Sequence, residues 1–320
     1  MTEGRPVDSF ASPRFSGVRT FMRLPHDPSP EGYDFVVGGI PFDTGASYRV
    51  GARFAPMAIR DASVILRPFN PFPSPGTAIF DILKGADVGD AAVVPGYLPE
   101  SYARIEAFAR GILEAGAIPV LLGGDHSVVL PELRALSKHL GRPVATVQFD
   151  AHSDTWDAYW GQKYTHGTPF RRAVEEGLVD PERSFQMGMR GGTYDAADLQ
   201  TAAKLGFHVY TGPELRQMSA SQIGEEIRRT VGDGPVFLSF DVDFLDPVAA
   251  PGTGTPEVGG FMTYEAQAYL RELSALDIRA ADVVEVLPAY DHAEVTALAA
   301  ANMAYEIITL IARKKAGGSD

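Results

Sequence analysis

The chain has no cysteine among its 320 residues. That excludes disulfides, thiolate catalysis and sulfur-ligated metals within it, zinc fingers included. Basic residues are scarce: 28 Lys and Arg stand against 41 Asp and Glu, for a formal net charge of −13, and no basic cluster exceeds Arg313-Lys314-Lys315. Nucleic acid is therefore not an expected partner. The opening Met1-Thr2-Glu3-Gly4-Arg5-Pro6 lacks the apolar core of a signal peptide, and no window reads as long enough to cross a bilayer. The expectation is a soluble, cytoplasmic protein with no membrane partner. Internal repeats and low-complexity tracts are also missing.

What is present suits a globular protein with a sizeable core, at 45% hydrophobic and 22% charged residues. No linker divides the chain, so the expected organisation is an N-terminal arm over residues 1–30, rich in Pro, Ser and Arg, and a single domain over 31–320. Apolar runs at Asp34–Ile40, Ile118–Leu122, Val144–Phe149, Ser184–Met189, Val236–Phe240 and Ala281–Glu285 read as strands. Helical stretches lie between them, at 56–63, 100–115, 128–140, 169–176, 222–231, 263–273 and 296–313. Alternating strands and helices predict an α/β fold, a three-layer α/β/α sandwich around a mainly parallel sheet.

Three polar motifs each follow the last apolar residue of a predicted strand. They are Gly123-Gly124-Asp125-His126, Asp150-Ala151-His152-Ser153-Asp154 and Asp241-Val242-Asp243. Alternate residues of an extended segment point the same way, so Asp150, His152 and Asp154 can converge on one point. In open parallel sheets, sites form at the carboxyl ends of strands. Four clustered carboxylates repel one another unless cations lie between them, and two divalent metals explain the set with His126, Asp150, His152, Asp154, Asp241 and Asp243 as ligands. Hard oxygen ligands with one imidazole per ion favour Mn²⁺, with Ni²⁺, Co²⁺ or Zn²⁺ as alternatives. Two such ions about 3.5–4 Å apart lower the pKa of a shared water, so hydrolysis is the implied reaction.

These motifs, with His166-Gly167-Thr168-Pro169-Phe170, Ser239 to Pro247 and Ala250 to Glu257, resemble the signature segments of the ureohydrolases over about residues 13–312. The nearest branch is the agmatinase-like one, which includes agmatinase, guanidinobutyrase, guanidinopropionase and proclavaminate amidinohydrolase. The resemblance implies the arginase/deacetylase fold, and a ureohydrolase catalytic domain that cleaves a guanidino compound to urea and an amine without an organic cofactor. It implies that Asp150 and Asp241 bridge both ions, that His126 and Asp154 bind one, and that His152 and Asp243 bind the other. Asp154 would also orient the nucleophile, Glu285 would grip the guanidinium, and His166 would pass a proton to the leaving amine. Family members assemble as trimers or hexamers, so a homo-oligomer is expected. Two positions depart from the usual pattern, Ala55 where Gly is common and Leu287 where Asn or Ser is usual.

Specificity is expected in the loop from Thr155 to Thr165, which holds four aromatics. Tyr159 matches a substrate-facing tyrosine of the guanidino-acid hydrolases, and Thr255 is a second candidate substrate contact. The best expectation is 3-guanidinopropionate, 4-guanidinobutyrate or agmatine; a metformin-type dialkylguanidine substrate and a partner-subunit role in a heteromeric enzyme are alternatives. An ammonium-ended substrate would want a carboxylate such as Asp157, and a carboxylate-ended one a cation such as Lys163, a hydroxyl or a backbone N–H.

Overall fold

The structure, a computed structural model, describes residues 4–317. Among these the strands are β1 (Phe35–Gly39), β2 (Phe69–Asn70), β3 (Thr77–Ala78), β4 (Gly85–Asp90), β5 (Ile118–Leu122), β6 (Ala145–Phe149), β7 (Phe185–Met189), β8 (His208–Thr211), β9 (Pro235–Asp241) and β10 (Asp277–Val284). The helices are α1 (Ala55–Ser63), α2 (Ile79–Ile82), α3 (Leu98–Glu114), α4 (Val129–Leu140), α5 (Pro169–Glu175), α6 (Asp198–Lys204), α7 (Gly212–Leu215), α8 (Ala220–Val231), α9 (Thr263–Arg271) and α10 (Val295–Lys315). All strands but β2 and β3 form one sheet, ordered β4-β1-β5-β10-β9-β6-β7-β8, in which every neighbouring pair is parallel.

The central strands are buried on both faces because both faces are covered, and β9 is buried along its whole length. Successive side chains of β1 take opposite sides: Phe35 and Val37 pack in one core, and Val36 in the other. One core lies under α1, α8, α9 and α10, the other under α3, α4 and α5. The expected α/β/α sandwich is the one that forms. Local signals place the helix ends: a capping box of Ser219 and Gln222 starts α8, and Gly141, at φ +66°, ends α4.

Two strands of this sheet went unread in the sequence, β4 and β8, and both are its edges; the two-residue pair β2 and β3 went unread as well. The β4 sequence Gly-Ala-Asp-Val-Gly-Asp carries no bulky run, and β8 is only half-buried, so neither shows the pattern of an interior strand. The expectation that no segment has the length of a bilayer span also needs correcting. Helix α10 is long and apolar enough, with a mean hydropathy of 1.6, but 83% of that window is buried against the rest of the fold.

The exposed edge of β4 is covered by residues 25–27. Asp27 N–H donates to the Asp87 carbonyl, and Asp87 N–H donates to that of Pro25. Upstream of this, Phe21, Met22 and Leu24 enter the core. Asp87 ties the corner together: its carboxylate accepts from Phe21 N–H at 2.8 Å, Gly89 N–H at 3.1 Å, and Arg60 Nε and Nη2 at 2.8 and 2.9 Å. Removing one member of a buried ion pair costs about 3–5 kcal/mol; here Arg60 would keep only the half-exposed Asp90, at 2.6 Å, and the Gly89 carbonyl, while Phe21 N–H would lose its acceptor. Asp87→Ala is therefore expected to destabilise the fold by that amount in denaturant titration; a loss within about 0.5 kcal/mol, as for ordinary surface changes, would refute this role.

Candidate metal centre

Four strands that are neighbours in the sheet, β5, β10, β9 and β6, deliver the site from their carboxyl ends. After β5 the chain turns through Gly123 and Gly124 into Asp125 and His126. Glycine is required at 124 because a Cβ there would collide with the main chain of Phe42, whose carbonyl accepts from Asp125 N–H at 2.8 Å. Two further site positions are non-glycine residues in the left-handed region, Asp154 at φ +51° and Glu285 at φ +65°. Such backbone costs about 1–3 kcal/mol and persists where the surroundings over-determine it.

All six sequence-predicted ligands come together. His126 Nδ1 lies 2.9 Å from Asp150 Oδ2, 2.9 Å from Asp154 Oδ2 and 3.3 Å from Asp241 Oδ2. His152 Nδ1 lies 2.9 Å from Asp243 Oδ2 and 3.6 Å from Asp150 Oδ1. Two ligand sets result, His126-Asp150-Asp154 and Asp150-His152-Asp243, with Asp150 common to both. Asp241 reaches the first set through Oδ2, while its Oδ1 accepts from Asp243 N–H.

The partners behind these ligands fix which atoms face inward. His126 Nε2 lies 2.8 Å from Ser239 Oγ, which donates to Asp282 Oδ1 at 2.7 Å. Ser239 thus accepts the Nε2 proton and leaves the Nδ1 lone pair aimed at the cluster. Asp150 is oriented by His152 N–H and Gln148 Nε2, and Asp243 by Ala151 N–H. Yet His126 Nδ1 and Asp243 Oδ2 are buried without any hydrogen-bond partner. Buried polar atoms without partners, all facing one place, are what a pair of cations would satisfy.

The electrostatics agree. Burial, with the charges of Asp243 and Asp150, raises the Asp241 carboxyl well above its ordinary value; burial and Asp150 push Asp243 up to about 6. Burial also opposes charge on the imidazoles, but the facing carboxylates outweigh it and raise both His126 and His152. A carboxylate-rich donor set of this kind fits a binuclear divalent metal centre.

Glu285 and His166 adjoin the cluster. Glu285 Oε1 accepts from His126 N–H and from His166 Nδ1, both at 2.9 Å, while Oε2 is buried and unpartnered. His166 is itself buried, which disfavours its charge, but Glu285, Asp154 and Asp125 raise it to about 9. Its Nε2 meets a residue that sequence reading missed, Ser47, on the loop after β1. Its only sequence signal was position, on the loop that follows a predicted strand.

A cleft of about 570 Å³ opens over the cluster, lined by Asp154, His166, Tyr159 and Thr255 among others. Tyr48, Trp156, Trp160 and Tyr194 add aromatic surface, and Trp156 meets Tyr159 edge-on at 4.8 Å. Neither charge weighed for the specificity loop faces inward. Asp157 turns out to Arg172 and Arg171, and Lys163 is exposed; among the described residues the lining holds no Lys or Arg. Leu287 is buried beside Gly51 and Gly254, outside the lining of the cleft.

Residues 33–309 match a model of the arginase family. The chain is similar to guanidinopropionase of Pseudomonas aeruginosa, at 45% identity over 98% of this chain and 97% of that one. It is 44% identical to guanidinobutyrase of the same organism, over 96% of each. Among solved structures it resembles proclavaminate amidinohydrolase from Streptomyces clavuligerus, with a TM-score of 0.89 at 40% identity, covering 95% of this chain and 100% of that one.

Without cations, the raised carboxyls and raised imidazoles act in one direction above about pH 5. Each binds its proton more tightly folded than unfolded, so each loses stabilising effect as pH rises through its folded pKa. Asp150, whose carboxyl is lowered by His126 and His152 against the opposing effect of burial, acts the other way, but below the same window. The Tm of metal-free protein is expected to fall from pH 5 to pH 8, and two bound Mn²⁺ per chain should remove most of that slope. A metal-free Tm that rises across the window would contradict the cluster's electrostatics.

Proposed function

The chain belongs to the arginase family, and we propose that it hydrolyses a short guanidino acid, with 3-guanidinopropionate or 4-guanidinobutyrate as substrate, to urea and the corresponding amino acid at two Mn²⁺ ions. The observation that carries the reaction is the convergence of five candidate ligands from three strand ends on two sets that share Asp150, with Asp241 3.3 Å from His126 beside the first. When bound, the ions would supply a water ionised at neutral pH and a Lewis acid for the developing charge.

The chain's own residues do the rest. Glu285 Oε2, unpartnered and buried, accepts guanidinium N–H groups; its other oxygen is already held by His126 and His166, so the carboxylate cannot swing away. Asp154, between His126 and the cleft, holds the nucleophile's proton. His166 protonates the departing amine. Guanidinium resonance makes its carbon a poor electrophile, so holding the planar group still is a large share of the task.

The names of the two Pseudomonas relatives support an acid substrate. Hydroxyl and main-chain groups at Ser47, Gly192, Thr193 and Thr255 line the cleft and can receive a carboxylate without a cation. A second reading, a dialkylguanidine, is favoured by one observation: Tyr48, Trp156, Tyr159, Trp160 and Tyr194 offer apolar faces, with no Lys or Arg in the lining among the described residues.

Purified, Mn²⁺-loaded protein is expected to release urea fastest from 3-guanidinopropionate or 4-guanidinobutyrate in a panel with agmatine, arginine and metformin. Preference for metformin would replace the acid reading with the alkylguanidine one, and urea from none of the five would sink both. Glu285→Gln is expected to keep two metals per chain. It should lower kcat/KM about 10- to 150-fold, the equivalent of the roughly 1.5–3 kcal/mol of a hydrogen bond to a charged group. Loss of metal in that variant would mean that Glu285 is structural.

A further inference from the structure

Neither ring nitrogen of His166 is free to reach a substrate directly. Nδ1 lies 2.9 Å from Glu285 Oε1, a carboxylate 2% exposed. Nε2 lies 3.1 Å from Ser47 N and 2.6 Å from Ser47 Oγ. A main-chain N–H only donates, so in the neutral ring Nε2 is the acceptor and the proton resides on Nδ1, donated to Glu285. When the ring takes a second proton, at Nε2, the acceptor beside it is Ser47 Oγ.

The two neighbours differ in where they lead. Glu285 leads back to His126, inside the protein. Ser47 lines the cleft, as Asp154 and His166 do. A hydroxyl can accept one proton and donate another in the same event, which neither a carboxylate nor a main-chain N–H can do.

Ser47 is also held in place from both sides. Upstream, Gly45 N–H donates to Asp125 Oδ2 at 2.7 Å, and the Gly45 carbonyl accepts from His166 N–H at 3.0 Å. Downstream, Gly51 N–H donates to Asp43 Oδ2 at 2.8 Å, and Asp43 is paired with Arg53. Arg49 packs over the Tyr48 and Tyr290 rings, at 5.5 and 4.8 Å. The buried Asp125 of the Gly-Gly-Asp-His turn thereby holds the loop that carries Ser47 against the ring it serves.

We propose that Ser47 is the relay through which His166 exchanges its proton with the cleft. In the step that expels the amine, the Nε2 proton passes to Ser47 Oγ while the hydroxyl proton passes to the amine nitrogen. One N–H, one O–H and the C–N bond break while one O–H, one N–H and the urea C=O form; the C–N electron pair goes to nitrogen, the ring returns neutral and the amine leaves uncharged. This rests on His166 being the group that protonates the leaving amine.

The test compares Ser47→Ala, Ser47→Thr, His166→Asn and the double variant Ser47→Ala/His166→Asn in the Mn²⁺-loaded protein, by urea release from 3-guanidinopropionate and agmatine. General acid–base groups contribute about 10²–10⁴-fold. A relay through Ser47 predicts that Ser47→Ala lowers kcat at least about 10-fold with KM within about twofold, that Ser47→Thr restores most of it, and that the double variant is no slower than His166→Asn alone. Wild-type kcat in Ser47→Ala, or a double loss equal to the product of the single losses, overturns the relay while leaving His166 its role. Wild-type kcat in His166→Asn overturns the underlying reading instead. Independently of turnover, the ¹⁵N shift of His166 Nε2 in Zn²⁺-loaded protein should move on Ser47→Ala; an unchanged shift also overturns the proposal.

Discussion

Placing Asp150, Asp154, Asp241 and Asp243 around two imidazoles puts four negative charges where water cannot screen them. Such a cluster does not form because its members attract one another. It is imposed by the sheet around it, and it is relieved by cations. The rest of the architecture can be understood as what makes that imposition affordable. Parallel strands clad in helices on both faces supply a large apolar core, and the charged groups are confined to one end of it, where each ligand is locked by a neighbour: Ser239 behind His126, Gln148 behind Asp150, Ala151 N–H behind Asp243.

Two strained residues lie at the same end. Asp154 and Glu285 hold left-handed backbone that other residue types would avoid, and Gly124 passes the Phe42 main chain at a separation that only a glycine permits. These are local departures from what each short segment would adopt alone, and they lie within the site rather than around it. The loop after β1 closes the arrangement. Through Asp125 and Gly45 it joins the turn after β5 to His166, so that the group proposed to move the proton and the groups proposed to hold the metals share one rigid frame.

Burial accounts for how much of this was readable beforehand. The interior strands β1, β5, β6, β7, β9 and β10 announce themselves as largely apolar runs, because a parallel strand covered on both faces has no side that faces water. The edge strands β4 and β8 have no such obligation, and they were missed. Helix α10 shows the same principle from the other direction: a helix buried on nearly all sides has the composition of a membrane span, and only its packing tells the two apart. Asp157 and Lys163 were both plausible specificity residues from their place in the loop, and both point to solvent or to neighbouring side chains.

By itself, the sequence determined the strand-and-helix alternation and offered six candidate ligands, because ligand chemistry is a matter of residue type and the motifs follow readable strands; the bends and left-handed backbone that aim them were not legible. It also made the resemblance to the ureohydrolases visible. Only the tertiary structure decided that β5, β10, β9 and β6 lie side by side, although they are far apart and differently ordered along the chain. That adjacency turns three separate motifs into one cluster. It likewise decided that Glu285 has one oxygen committed and one free, and that Ser47 meets His166 across 119 positions of sequence. Contacts of that separation depend on how crossovers wind the sheet, and no local pattern encodes them.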